Sequence, residues 1–216
     1  MIAMILAAGR GERLRPLTDT TPKSLVEVRG KPLLECHLHA LQTAGVETVV
    51  INLGWLGDKV FDRIGSGARY DLNVVYSNEG DNILETGGGI HRALPMLGDD
   101  PFLVVNADIY TDMPFSGINL GANDMAHLVL VPTPPNKEGG DFALADGRVR
   151  NSGTELLTFS GVSVYRPEFF ADCEPGRFSV VPMLRAAADD DRISGSVYAG
   201  LWRDVGTPAR LAELND

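Results

Sequence analysis

Between Gly9 and Lys23 the chain sets four cations among glycines, in Gly9-Arg10-Gly11-Glu12-Arg13-Leu14-Arg15 and then Thr21-Pro22-Lys23. Glycines let backbone amides approach an anion, and guanidinium groups add paired donors with a fixed positive charge. Ala7 and Ala8, just before, keep the wall low where something flat can lie. This is chemistry suited to a polyphosphate. It is not a Walker loop, because GxxxxGK is absent, and the dinucleotide fingerprint fails because Leu14 stands where its third glycine belongs. The plain alternative is a surface loop whose arginines are simply solvated.

Two carboxylates have the right setting for a divalent cation. Asp108 follows the apolar run Phe102-Leu103-Val104-Val105 through Asn106-Ala107, and Asp204 lies in Trp202-Arg203-Asp204-Val205-Gly206-Thr207-Pro208. Two acids brought together repel unless a cation joins them, and magnesium is hard, oxygen-seeking and content with one or two carboxylates plus substrate phosphates. The residues alone leave open whether these two meet. An Asp after a strand also serves as a turn former or helix cap.

The elements that would position these groups alternate. Ile2–Leu6 reads as a buried strand feeding the glycine loop. Leu33, Leu34, His37, Leu38 and Leu41 repeat at helical spacing, with Pro32 expected in the first turn and a stop at Gly45. Strands are expected at 48–53, 72–76 and 102–105, with helices at 56–64 and 89–97 between them. Such alternation predicts a mostly parallel sheet covered on both faces, and ligands meet that kind of sheet beyond the carboxyl ends of its strands. Further on, strands are expected at 126–132, 156–165 and 193–198, a hairpin turning at Asp146-Gly147, and a helix at 180–188. Thr207 should cap a last helix opened by Pro208.

One further loop, Asn78-Glu79-Gly80-Asp81-Asn82-Ile83-Leu84-Glu85-Thr86-Gly87-Gly88-Gly89, places three glycines before a helix. Glycines there would permit close backbone approach to a flat or ribose-like group, or would merely make a flexible loop.

The run from Leu6 to Leu33, with Ala7-Ala8-Gly9, Arg13, Pro16-Leu17, Pro22-Lys23 and Lys31-Pro32-Leu33, resembles the signature of the sugar-1-phosphate nucleotidyltransferases, and later segments match in order. The resemblance implies an α/β, Rossmann-like three-layer fold: a mixed, mostly parallel sheet with helices on both faces and a small antiparallel extension on the sugar side. It implies one domain over residues 1–216, in which 1–112 mainly bind nucleotide, 113–200 mainly face the sugar phosphate, and 201–216 supply the second acid and last helix. It assigns Mg2+ to Asp108 and Asp204, and catalysis to these two with Arg13 and Lys23. The nucleoside triphosphate would lie on Ala7, Ala8, Gly9, Arg10, Gly11, Arg13 and Lys23. Its base and ribose would lie on Asn78, Glu79, Thr86, Gly87 and Gly88. Glu79 fills the family's usual glutamine position, and a carboxylate there accepts the N3–H of uracil or thymine, which favours UTP. Guanine also has a ring N–H, so GTP with mannose 1-phosphate, or dTTP or UTP with glucose 1-phosphate, are the neighbouring pairs; a non-catalytic nucleotide-sugar sensor is the reading of another class. On the sugar-phosphate side stand Asn106, Glu155 and Gly161. Many relatives have Glu-Lys-Pro after the hairpin, but here Val149-Arg150-Asn151-Ser152-Gly153-Thr154-Glu155 has no lysine, leaving Arg150, with Asn151, as its substitute.

Composition bounds the partners. The 216 residues have a net charge of -10, which argues against a broad grip on nucleic acid or on an anionic membrane surface. The first 31 residues nevertheless hold six basic side chains against three acidic ones. Two distant cysteines, Cys36 and Cys173, read as buried free thiols suited to a reducing compartment. No apolar stretch is long enough to span a bilayer, and the apolar N-terminus is too short for a signal peptide. A cytoplasmic enzyme, monomeric or weakly self-associating, is the expectation.

Overall fold

The computed structural model describes residues 1–80, 82–135 and 137–216. Strand β1 (Ile2–Leu6) enters a long loop of short 3-10 turns, then the small hairpin β2 (Glu27–Val28) and β3 (Lys31–Pro32). Helix α1 (Leu33–Thr43), β4 (Thr48–Leu53), α2 (Gly57–Ile64), β5 (Asn73–Asn78), α3 (Glu85–Leu97) and β6 (Phe102–Asn106) complete the alternating half. Next come β7 (Ile109–Thr111), β8 (Ala126–Val131), the hairpin β9 (Ala143–Ala145) and β10 (Arg148–Arg150), and β11 (Thr158–Tyr165). The chain closes with α4 (Val181–Asp189), β12 (Ile193–Val197), β13 (Trp202–Asp204) and α5 (Pro208–Asn215).

Among the described residues nine strands form one mixed sheet in the order β5-β4-β1-β6-β11-β8-β12-β10-β9. The four strands at the β5 end run parallel, and antiparallel pairing begins where β11 meets β6. The expected fold class is therefore the observed one. Alternation along the central strands supplies both layers. Ala3, Ile5, Val49, Ile51, Leu103 and Val105 meet Leu34, Leu38 and Leu41 of α1 and Val60 and Ile64 of α2. The intervening Met4, Val50 and Val104 meet α3 and α4 through Ile90, Ala93, Leu97 and Leu184. Each Val, Leu, Ile or Met side chain among them contributes about 1.5–3 kcal/mol on removal from water, before entropy is charged against it.

The chain leaves β1 toward β4 on one side and returns to β6 on the other, so the connections diverge at the carboxyl end of β1. A crevice opens at such a divergence, and the glycine and arginine loop begins there.

Several sequence expectations shift. Pro32 pairs with Glu27 in β3 and flanks α1, which starts at Leu33. The two thiols are free but only half-buried. The largest change concerns α3, which starts at Glu85 rather than Gly89 and takes the glycines into the helix, buried. They serve packing. A Cβ on Gly87 would come 2.4 Å from the Phe178 ring, and one on Gly88 2.1 Å from the Gly176 carbonyl oxygen. The Gly88 N–H donates to the Phe178 carbonyl at 3.0 Å, and Thr86 Oγ1 accepts from the Val180 N–H at 3.0 Å. Asp81 of this segment lies outside the described residues. Two short ribbons, β2–β3 and β7–β13, add to the expected elements; their strands have too few residues to show a period in the sequence.

Gly88→Ala should lower stability by about 1–3 kcal/mol, because the backbone contact outweighs the gain in helix propensity. The midpoint of urea denaturation, at unchanged slope, measures it.

Candidate active site

The β7–β13 ribbon assembles the site. It pairs Asp204 with Ile109 in antiparallel register, and the Val205 N–H donates to the Asp108 carbonyl at 2.7 Å. Acids 96 positions apart in sequence thus line one cavity, together with Arg13, Asn106, Lys137, Gly161 and Arg210. The Trp202 indole donates to the Ser160 carbonyl at 2.9 Å, which ties the ribbon to β11. There β11 shifts register between Phe159 and Val162, and Gly161 takes a φ of +81°. A Cβ at Gly161 would sit 2.6 Å from Asn106 Nδ2, so glycine is what lets Asn106 occupy this wall.

Each acid has its own cation. Lys23 pairs with Asp108 and Arg210 pairs with Asp204. Arg13 lies beside Gly206, where a Cβ would meet Arg13 Nη2 at 3.1 Å and Asp204 Oδ2 at 3.0 Å. Close below, His37 of α1 is neutral, since burial pushes its imidazole down to about 4 against smaller upward pulls from the Ile109 backbone and the Asp108 charge.

On the other side of Lys23, a narrow cavity is lined by Ala7, Ala8, Gly9, Gly11, Asn52, Glu79, Ile83, Thr86 and Asp108. Gly11 has φ +65°, and a Cβ there would come 2.9 Å from Thr18 and 3.0 Å from Lys23. Gly9 is not in that left-handed region. Arg10, Arg13, Lys23 and Arg177 ring an adjoining open basin. Arg177, paired with Glu85 at 2.8 Å, gives no motif in the sequence. Arg10 stacks on Trp55 at 5.4 Å, and the Trp55 indole donates to the Thr18 carbonyl at 2.9 Å, so the turn after β4 braces the glycine loop. Asn78 ends β5 with its Oδ1 accepting from the Gly80 N–H at 2.8 Å, and lines a groove beside Arg10 and Trp55.

Three expected sugar-side residues are not brought here. Arg150 pairs with Asp191 at 2.7 Å, and Asn151 donates to the Arg185 carbonyl at 2.8 Å and to Asp189 at 2.7 Å, both toward α4 and its end. Glu155 is exposed and outside the cavity wall. In place of Arg150 the structure brings in Lys137, from the stretch between β8 and β9. It pairs with Asp141 at 2.5 Å, and Asp141 is fixed in turn by the Phe159 N–H at 2.9 Å. Nothing in the local sequence marks Lys137, because its relation to Asp108 depends on the sheet order.

Among the described residues no group of three or more His, Cys, Asp or Glu side chains is arranged to hold a metal, and no helix is long and apolar enough to cross a membrane. The hard oxygen pair Asp108 and Asp204 fits magnesium, which takes few protein ligands and completes its shell from water and phosphate.

The crevice at the β1 divergence gathers cations around a glycine turn and two converging acids, and the chain belongs to the nucleotidyl transferase family, which its residues 2–145 match. Over 222 aligned residues it is 50% identical to N-acetylmuramate alpha-1-phosphate uridylyltransferase of Neisseria meningitidis serogroup B, covering 99% of this chain and 96% of that one. The protein of the same description from Caulobacter vibrioides is 38% identical, covering 98% and 97%. The solved structure of HddC from Yersinia pseudotuberculosis complexed with GMP-PN superposes with a TM-score of 0.81 at 22% identity, covering 99% of this chain and 97% of that one, and so bears on the fold alone.

Proposed function

We propose that this nucleotidyltransferase moves a uridylyl group from UTP to N-acetylmuramic acid α-1-phosphate, forming the UDP-sugar and pyrophosphate. The product belongs to peptidoglycan recycling. The observation that carries the reading is the meeting of Asp108 and Asp204 beside Arg13 and Lys23, at the carboxyl ends of the strands. Similarity over the whole length to two uridylyltransferases supports the substrate pair.

An oxygen of the sugar phosphate bonds to the α-phosphorus as the bond to the β,γ-pyrophosphate breaks. A phosphate monoester is already mostly dianionic at neutral pH, with a second pKa of about 6, so no strong base is required. Charge and alignment are the barrier. Magnesium, held by Asp108 and Asp204, would supply charge neutralisation between the two phosphates. Lys23, paired here with Asp108, would neutralise the α-phosphoryl oxygens of bound nucleotide. Arg10, Arg13, Arg177 and the Gly11 amide hold the departing pyrophosphate. Lys137 meets the sugar phosphate, with Asn106 between the two halves, and Glu79 accepts the imide N–H of the base.

A panel of UTP, dTTP, GTP and CTP against N-acetylmuramic, mannose and glucose 1-phosphates, followed by pyrophosphate release, should select UTP with the muramate. Preference for another pair replaces the substrate assignment, and binding without turnover replaces the enzyme by a sensor. Asp108→Asn should lower kcat by about 10²–10³-fold in saturating Mg2+ with the fold retained; near-normal turnover removes the metal assignment. Lys23→Ala should lower kcat more than it raises the KM for UTP. Lys137→Ala should raise the KM for the sugar phosphate by about 10–100-fold, the scale of one lost hydrogen bond to a charged group, while Arg150→Ala leaves it unchanged.

A further inference from the structure

Asn52, in β4, is buried between the two loops of the narrow cavity and touches none of the phosphate-side cations, yet it makes two of the shortest contacts in the crevice. Its Oδ1 accepts from the Ala7 N–H at 2.6 Å, and its Nδ2 donates to Glu79 Oε1 at 2.6 Å. The backbone donor of Ala7 fixes the orientation of the amide, so the group turned toward Glu79 is a donor. The other Glu79 oxygen, Oε2, accepts from the Leu84 N–H at 2.8 Å. Residue 79 therefore faces donors on both oxygens. Only a carboxylate satisfies both; a glutamine would set its NH2 against one of them and leave buried donors opposed. The space around the pair is filled: a Cβ on Gly89 would come 2.7 Å from Glu79 Oε1 and 2.9 Å from Asn52 Nδ2.

We propose that Asn52 is a positioning residue for base choice: by reading the Ala7 amide with one end and donating with the other, it obliges residue 79 to be a carboxylate, fixed as an acceptor toward the base. The inference rests on the reading above, that Glu79 meets the base. Each carboxylate oxygen has a second lone-pair direction after its protein contact, which remains for a ring N–H. A base with an imide N–H, such as uracil, is accepted. Cytosine, whose N3 is an acceptor, meets acceptor with acceptor and is refused. Asn52 thus sets selectivity through Glu79.

The test is a charge-swapped pair, assayed with UTP and CTP at saturating sugar phosphate. Asn52→Asp keeps the shape and the Ala7 contact but turns an oxygen on Glu79, so the two acids repel. It should raise the KM for UTP by about 10–100-fold, with kcat changed much less and CTP scarcely affected, so that the UTP preference narrows. Glu79→Gln alone should also lose UTP affinity. Asn52→Asp with Glu79→Gln restores every donor–acceptor pair, because the amide NH2 introduced at position 79 then donates to the carboxylate introduced at position 52, while the amide oxygen accepts from the Leu84 N–H. The double variant should bind UTP better than either single one. An unchanged KM for UTP in Asn52→Asp, equal losses for UTP and CTP, or strictly additive losses in the double variant would overturn the proposal. If Asn52→Asp does not fold, the comparison of the double variant with Glu79→Gln decides: equal KM values overturn it. Failure of the wild-type protein to use UTP at all would instead overturn the uridylyl reading.

Discussion

Two carboxylates can share one small space only if positive charge accompanies them, and this site is arranged around that constraint. Lys23 stands on Asp108 and Arg210 on Asp204, from opposite ends of the chain. Neither acid is sealed in the core, which spares the desolvation penalty of a fully buried pair. Under the proposed reading, a substrate phosphate would take the lysine and a metal the acids, so neither acid would be left without a cation. Arg13, near Asp204 and facing the phosphate basin, belongs to both sets.

The sheet supplies the place and the irregular parts supply the aim. The divergence at β1 opens the crevice, but the direction of each functional group is set by short, individually weak devices. These are a three-residue ribbon, a register shift in β11 and an asparagine held between two loops. The buried glycines of α3 act at one remove, letting the segment around Phe178 lie on the helix and bring Arg177 to the basin rim. Gly87 leaves room for the Phe178 ring and Gly88 for the Gly176 carbonyl.

Long periodic elements were legible in the sequence. Strand β4 falls on 48–53 as its β-branched run indicates, and Thr207 caps α5 by accepting from the Arg210 N–H. The glycine and arginine loop stood out by residue type after a strand, whereas the role of Lys23 and the pairing of the two acids rested on the family resemblance, and the structure places all of them around one crevice. What was not legible depends on pairing between distant segments. The β7–β13 ribbon has too few residues to show alternation. Lys137 enters the cavity only because β8 lies beside β11, and Arg150 turns away because the β9–β10 hairpin sits at the sheet edge next to β12 and within reach of Asp191. The triple glycine reads as loop because glycine is a poor helix former. Tertiary contact with residues 176–178 overrides that preference.

The ribbon also fixes when the cavity can close. Its second strand, and the acid that ends it, arrive long after the phosphate loop has been made, and the last helix then docks its Leu214 with Val28, Leu33 and Val205 while Asn215 accepts from the Arg29 N–H. Without residues 204 onward the cavity would keep Arg13 and Asp108 but lose Asp204, Arg210 and the pairing with Ile109. The wall that faces the arginine loop is therefore completed by a segment far downstream of it.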